Sequence, residues 1–178
     1  PLLLNKLLGT KFKVVSGYQG GSAIYFAMER GEVEGRCGVD FSGLRSTKAE
    51  WLPNRKISIV VQTSIEPSDD PFIKGAPMAI DFATNDDHRG AMRLLFSKDL
   101  LDKPFLAPQG IPPQRMQALL SAFEASMKDP ALLADLNSTG LQLNFVSGQR
   151  VQKTIRDAYQ SSSPIIRIAR EAVTSQSP

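Results

Sequence analysis

The segment Lys11–Arg30, KFKVVSGYQGGSAIYFAMER, carries the strongest fold signal in the chain. Lys11–Ser16 contains β-branched residues and predicts a short strand, and Gly17–Ser22 predicts a turn. Ala23–Arg30 then predicts a helix that ends before a glycine. A strand followed by a turn and a helix is the repeating element of α/β proteins.

The same alternation continues on the C-terminal side of this segment. Its elements are predicted strands at Glu34–Val39 and Ile57–Gln62, a short helix at Phe41–Trp51, a helix after Asn85 and a last strand at Lys103–Ala107. The apolar run at Ile57–Gln62 is typical of a strand buried on both faces. We therefore expect an α/β fold with a mostly parallel sheet and helices packed on it.

The chain after the proline-rich segment 104–113 is predicted to be helical. Apolar residues from Met116 to Met127 recur at helical spacing, and helix starts are indicated at Asp129-Pro130, Ser147-Gly148 and Ser163-Pro164. These helices have apolar faces but no strands among them to cover those faces. Chain exchange or a dimer through the helices after residue 112 is therefore expected, with these side chains otherwise exposed: Met116, Leu120, Phe123, Ile155 and Ile168.

Composition narrows the class of protein. The chain has 178 residues, a net charge of +3 and one cysteine, so it is long enough for a core without disulfides. The basic excess lies on the C-terminal helices and is interpreted as a solvated helix face, so no nucleic-acid partner is expected. Leu2–Leu8 is typical of the end of a helix closed by Gly9, which suggests a fragment or a processed chain.

The turn Gly17–Ser22 is the first candidate binding site. It follows a predicted strand and precedes a predicted helix, which is where α/β proteins bind ligands. Adjacent Gly20 and Gly21 let a ligand approach the backbone, and free amides at a helix start favour an anion. The spacing matches neither a dinucleotide-binding motif nor a P-loop. A tight turn without a ligand stays open as the alternative.

The exit of the next predicted strand is the second candidate site. Asp40 and Ser42 would lie beside the first turn if the two strands are neighbours. Either side chain could instead cap the helix that follows.

The residues that catalysis would need are few. His88 is the sole histidine and is expected to be exposed, and Cys37 is expected to be buried inside a strand. No GxSxG nucleophile motif is present, and one Cys with one His disfavours a four-ligand zinc site. The sequence therefore favours a binding protein over an enzyme, with no cofactor and no metal.

Three segments resemble one protein family. Leu3–Gly35, Lys103–Asp135 and Val146–Tyr159 are similar to Bug-type periplasmic solute receptors of tripartite tricarboxylate transporters, and the resemblance extends over essentially the whole chain. The resemblance implies a periplasmic-binding-protein type II-like lobe, with a cleft between two lobes that closes on a small carboxylic acid. It also implies delivery of that acid to the membrane subunits of a transporter.

The resemblance places residues 1–105 in lobe two and residues 106–178 in a helical segment that packs on lobe one, whose first half the chain lacks. It assigns ligand contacts to Tyr18, Gly20, Gly21 and Ser22. Asp40 departs from the family pattern and suits a ligand that carries a hydrogen-bond donor. The alternative function is the effector-sensing domain of a transcription regulator, which can share the two-lobe fold and would carry a DNA-binding helix pair upstream.

Overall fold

The computed structural model describes residues 1–39, 41–101, 103–139, 141 and 143–174. Over these residues the chain forms eight α-helices and two 3₁₀ helices. The α-helices are α1 Leu2–Leu8, α2 Gly21–Glu29, α3 Phe41–Thr47, α4 Asp86–Phe96, α5 Pro113–Ser126, α6 Pro130–Ser138, α7 Gly148–Tyr159 and α8 Ser163–Thr174. The 3₁₀ helices are Ala79–Phe82 and Ser97–Leu101.

Several helix ends lie where the capping residues predict them. Gly9 adopts a φ of 69° after α1, a left-handed conformation that glycine tolerates best. The Asp129 carboxylate accepts the backbone N–H groups of Ala131 and Leu132 at the start of α6. The Ser147 hydroxyl accepts the Arg150 N–H at the start of α7. These predicted helix boundaries are confirmed.

The predicted parallel sheet is wrong. Among the described residues the sole β pairing is one isolated parallel bridge between Gln62 and Met78. The predicted strands are extended or irregular and have no neighbouring strand, and Val15 and Val60 leave 51% and 71% of their surface exposed. β-branched residues favour an extended backbone, but only lateral pairing makes a strand, and that pairing is not encoded in any one segment.

Gln62 ties together the loop that follows it. Its backbone N–H donates to Pro77 O and its carbonyl accepts the Ala79 N–H, each at 2.9 Å. Its buried side-chain amide donates to Ala76 O at 2.8 Å and to Ile73 O at 3.4 Å, and it accepts the Ser68 N–H at 2.8 Å. Residues 63–77 are thus held by one residue at Ser68 and at their C-terminal end.

The described chain divides into two compact units. The first combines Pro1–Phe96 with the C-terminal segment that begins at Ser161, and the second is Ser97–Gln160. The predicted assignment of residues 1–105 and 106–178 to two lobes of a larger receptor stays a prediction.

The main core of the first unit is helical. Helix α8 packs on α4 and on α1, and the 3₁₀ helix Ala79–Phe82 packs on α4. The core side chains are Leu4, Leu7, Ala79, Ile80, Ala83, Ala91, Met92, Phe96, Ala169 and Ala172. Ile168 packs against this cluster, so the expectation that Ile168 belongs to an uncovered face is wrong.

A second, smaller cluster of the first unit lies under α2 and α3. It contains Tyr25, Leu44, Trp51 and Leu52, and the Tyr25 and Trp51 rings meet edge to face at 5.3 Å. Because Tyr25 belongs to both α2 and this cluster, α2 is packed against the cluster. This packing positions the start of α2, where the candidate site lies.

The second unit buries far less of its apolar surface. None of the residues of α5 or α6 is buried, and α7 buries only Thr154.

Candidate functional site

The start of α2 presents backbone donors without protein partners. Gly20 precedes the helix with a φ of 99°, and no side chain caps the helix. The amides of Gly21, Ser22 and Ala23 make no hydrogen bond with any described residue. The first N–H groups of a helix lack intrahelical acceptors and carry the positive end of its dipole, so this turn can bind an anion.

A guanidinium group lies directly over this helix start. A methyl group at Gly21 would come within 2.5 Å of Arg36 Nη1 and 2.8 Å of Nη2. The guanidinium therefore occupies space that only a glycine leaves open. Arg36 also stacks on the Tyr25 ring, with 4.7 Å from its Cζ to the ring centroid.

Arg36 has no acidic partner among the described residues, although it is only half-exposed. An unpaired guanidinium is a planar donor that matches the two oxygens of a carboxylate. Sequence reasoning assigned no role to Arg36, because its contact with Gly21 joins residues fifteen positions apart. The sequence does carry one signal for this role: Arg36 is the one basic residue of Gly31–Val39, the segment that follows the helix.

The predicted ligand contacts of the first turn lie close together. Tyr18 is half-buried, and its carbonyl accepts the Gly20 N–H at 3.0 Å. Ser22 is exposed on the first turn of α2, beside the free amide of Gly21. The structure thus brings Tyr18, Gly20, Gly21 and Ser22 into one turn beside Arg36.

Of the second predicted pair, Asp40 and Ser42, the structure does not join Ser42 to the first turn. Ser42 is half-buried in the first turn of α3, and its hydroxyl makes no hydrogen bond to the turn Tyr18–Ser22 or to the start of α3. Asp40 lies outside the described residues.

The opposite end of α2 carries a charged and aromatic contact. Lys48 Nζ lies 2.5 Å from Glu29 Oε1 and 5.1 Å from the ring centroids of Phe26 and Trp51. The hydrogen bond from Lys48 lowers the pKa of the Glu29 carboxyl, and partial burial opposes this effect. The buried Trp51 Nε1 has no hydrogen-bond partner of good geometry among the described residues, yet its N–H also lowers the Glu29 pKa. The Trp51 N–H therefore acts on the Glu29 carboxylate as a dipole, since its geometry falls short of a hydrogen bond.

The remaining candidates for chemistry are structural or isolated. His88 is half-buried, contrary to the expectation of exposure, and its Nδ1–H donates to Leu7 O at the end of α1 over 3.0 Å. Cys37 is exposed, so its predicted burial is wrong. The described part of the chain holds no group of three or more His, Cys, Asp or Glu side chains placed to bind a metal. Nor does any described helix have the length and apolar character that crossing a bilayer requires.

Comparisons with known proteins add no relative. The chain matches no protein-family model, no curated protein and no solved structure.

Proposed function

We propose that the chain is a solute-binding receptor of the periplasm that captures a small carboxylic acid and delivers it to the membrane subunits of a tripartite tricarboxylate-type transporter. The compartment, the transporter and the receptor role rest on the resemblance of three segments to Bug-type receptors. The carboxylate chemistry rests on an independent observation, the guanidinium of Arg36 over the free amides of α2.

Three interactions at the start of α2 favour the binding of a carboxylate. The free amides of Gly21, Ser22 and Ala23 offer donors to one oxygen, and the helix dipole favours its negative charge. The Arg36 guanidinium can donate in parallel to both oxygens. The Tyr25 ring supports the guanidinium from behind, so part of the entropy cost of ordering it is already met in the free protein.

Two substitutions test which of these terms binds the ligand. Arg36→Gln removes the charge and is expected to weaken carboxylate binding by about 10- to 150-fold, since a hydrogen bond to a charged group contributes about 1.5–3 kcal/mol. Gly21→Val is expected to abolish measurable binding, because its side chain blocks the amides and displaces the guanidinium. Ser22→Ala should cost about 1 kcal/mol, the value of one neutral hydrogen bond.

The measurement is isothermal titration with mono-, di- and tricarboxylic acids, preceded by a thermal-shift screen. Arg30→Gln is the matched control, because Arg30 lies just after α2 and pairs with Glu32 at 2.8 Å, away from the helix start. It removes the same charge and should leave the affinity unchanged. An Arg36→Gln protein that binds its carboxylate as tightly as the parent, or a parent that binds none of the acids, contradicts the proposal.

A further inference from the structure

Two aromatic side chains lie in a row beneath the arginine of the candidate site. Arg36 stacks on the Tyr25 ring, with 4.7 Å between its Cζ and the ring centroid. The Tyr25 ring in turn meets the Trp51 ring edge to face, with 5.3 Å between the two centroids and 72° between the ring planes. Tyr25 is 5% exposed and Trp51 is 2% exposed. Arg36 is thus the outer member of a row of three side chains whose two inner members are buried.

The guanidinium follows one face of α2. Gly21 and Tyr25 are four residues apart and therefore lie on the same face of the helix. The Arg36 guanidinium lies over both of them. This face offers the guanidinium room at the glycine and attraction at the tyrosine, because the π face of an aromatic ring attracts a cation.

Trp51 is held on a second side by a cation that is anchored on α2. Lys48 Nζ lies 5.1 Å from the centroid of a Trp51 ring that already contacts Tyr25, and it donates a hydrogen bond to the Glu29 carboxylate. Trp51 itself belongs to the segment after α3 and so packs against α2 from another part of the chain. In a close-packed cluster a ring can turn only as far as its neighbours allow, so Trp51 limits the orientation of the Tyr25 ring.

The orientation of the Tyr25 ring matters for ligand binding because it sets where the guanidinium can stack. A guanidinium donates to both oxygens of a carboxylate only when its plane is aligned with them. An arginine side chain has many rotamers, and binding must select one of them. A ring that already holds the guanidinium in place lowers the entropy cost of that selection.

We propose that Trp51 is a positioning residue for Arg36: it fixes the Tyr25 ring, and that ring holds the guanidinium where it meets a carboxylate at the start of α2. Trp51 acts through Tyr25 and makes no ligand contact of its own. The inference rests on the proposed function, in which Arg36 binds the carboxylate, and it adds that the affinity depends on a buried ring two contacts away.

Isothermal titration with carboxylic acids tests this role. Trp51→Leu removes the ring and is expected to weaken carboxylate binding by about two- to tenfold, the range that corresponds to one aromatic pair. Trp51→Phe keeps a ring that can meet Tyr25 edge to face, so it should keep most of the affinity. Leu44→Ala is the matched control, because Leu44 is buried in the same cluster but supplies no ring. It also leaves a cavity and lowers stability, yet it should leave the affinity unchanged.

A second arm of the experiment places Trp51→Leu in the Arg36→Gln background. The guanidinium that Trp51 positions is absent there, so Trp51→Leu should cost no further affinity. Circular dichroism checks that each variant is folded at the temperature of the titration. If Trp51→Leu does not fold, Trp51→Met replaces it, because a methionine side chain refills part of the space of the indole.

The outcomes separate this proposal from the proposed function. Equal affinity losses in Trp51→Leu and Leu44→Ala would make Trp51 a packing residue and overturn the proposal, as would an undiminished loss in the Arg36→Gln background. Either result leaves the proposed function intact when the parent binds a carboxylate and Arg36→Gln weakens that binding. A parent that binds none of the acids overturns both.

Discussion

The contact between Lys48 and Glu29 should affect how the stability of the fold changes as the pH falls. The Lys48 ammonium lies beside the Glu29 carboxylate and against the Phe26 and Trp51 rings, and its side chain is only 17% exposed. The pKa of Glu29 is lowered from its ordinary value of 4.5, first by the hydrogen bond from Lys48. A carboxyl with a lowered folded pKa stabilises the fold above its unfolded pKa. That contribution disappears as the pH falls through the folded pKa.

We therefore expect Lys48→Met to flatten the acid limb of the stability curve. The free energy of urea unfolding is measured between pH 6 and pH 3 for parent and variant at one protein concentration. Above the ordinary Glu29 pKa the variant should be slightly less stable, and the difference should shrink toward low pH. Glu29→Gln is the control background, in which adding Lys48→Met should no longer change the pH dependence. A difference that grows as the pH falls would contradict the assignment.

At the scale of elements, the crossing of α4 and α8 depends on the absence of a side chain at Gly90. A methyl group there would come within 2.5 Å of Ile165 Cδ1 and 2.9 Å of its Cγ1. Gly→Ala inside a helix ordinarily stabilises by about 1 kcal/mol. Here we expect Gly90→Ala to destabilise the fold by about 1–3 kcal/mol, the usual cost of overpacking.

A double-mutant cycle with Ile165→Ala checks this prediction by urea unfolding. Gly90→Ala should cost little once Ile165 is shortened, because the clashing atoms are gone. Gly148→Ala at the start of α7 is the control, since its methyl group would lie 3.6 Å from Leu120 Cδ2, an ordinary contact. Additive effects of Gly90→Ala and Ile165→Ala would show that the crossing is not limited by this contact.

Elements whose signals are local were predictable, and those that need a distant partner were not. The Asp129 and Ser147 caps act within three residues, and both helix starts are where these residues predict them. The apolar run Ile57–Gln62 predicts a buried strand, but its side chains alternate in exposure and Val60 faces solvent, because no strand lies beside it. The glycine turn of the candidate site was found from spacing, whereas Arg36 was missed because its approach to Gly21 depends on the folded chain.

At the scale of the whole molecule, the dimer expected through the helices after residue 112 should make the free energy of unfolding depend on protein concentration. When a dimer unfolds to separate chains, its folding free energy includes the free energy of association. Tenfold more protein then adds about 1.4 kcal/mol per mole of dimer, or about 0.7 kcal/mol per chain, which corresponds to about 1–3 °C in Tm for chains of this length.

We expect this rise in Tm for the parent and for the control Phe82→Glu, an exposed position of the first unit. The rise should be much smaller for Leu119→Glu, because Leu119 is exposed on α5, through which the dimer is expected. Scanning calorimetry at three or more concentrations provides the measurement. A parent Tm that does not change with concentration would contradict a dimer in which folding and association are coupled.

The five hydrogen bonds of Gln62 have a consequence for how the chain can be altered by engineering. They hold residues 63–77 at Ser68, at Ile73 and at the C-terminal end, so the short stretch between Gln62 and Ser68 is a loop closed by a hydrogen bond from Ser68 to Gln62. Doubling the length of a flexible loop costs only about 0.6 kcal/mol in closure entropy. The exposed Glu66 and Pro67 lie between Ile65, which packs against the main core, and Ser68, whose N–H donates to Gln62. A peptide tag inserted between Glu66 and Pro67 is expected to leave both of these contacts in place.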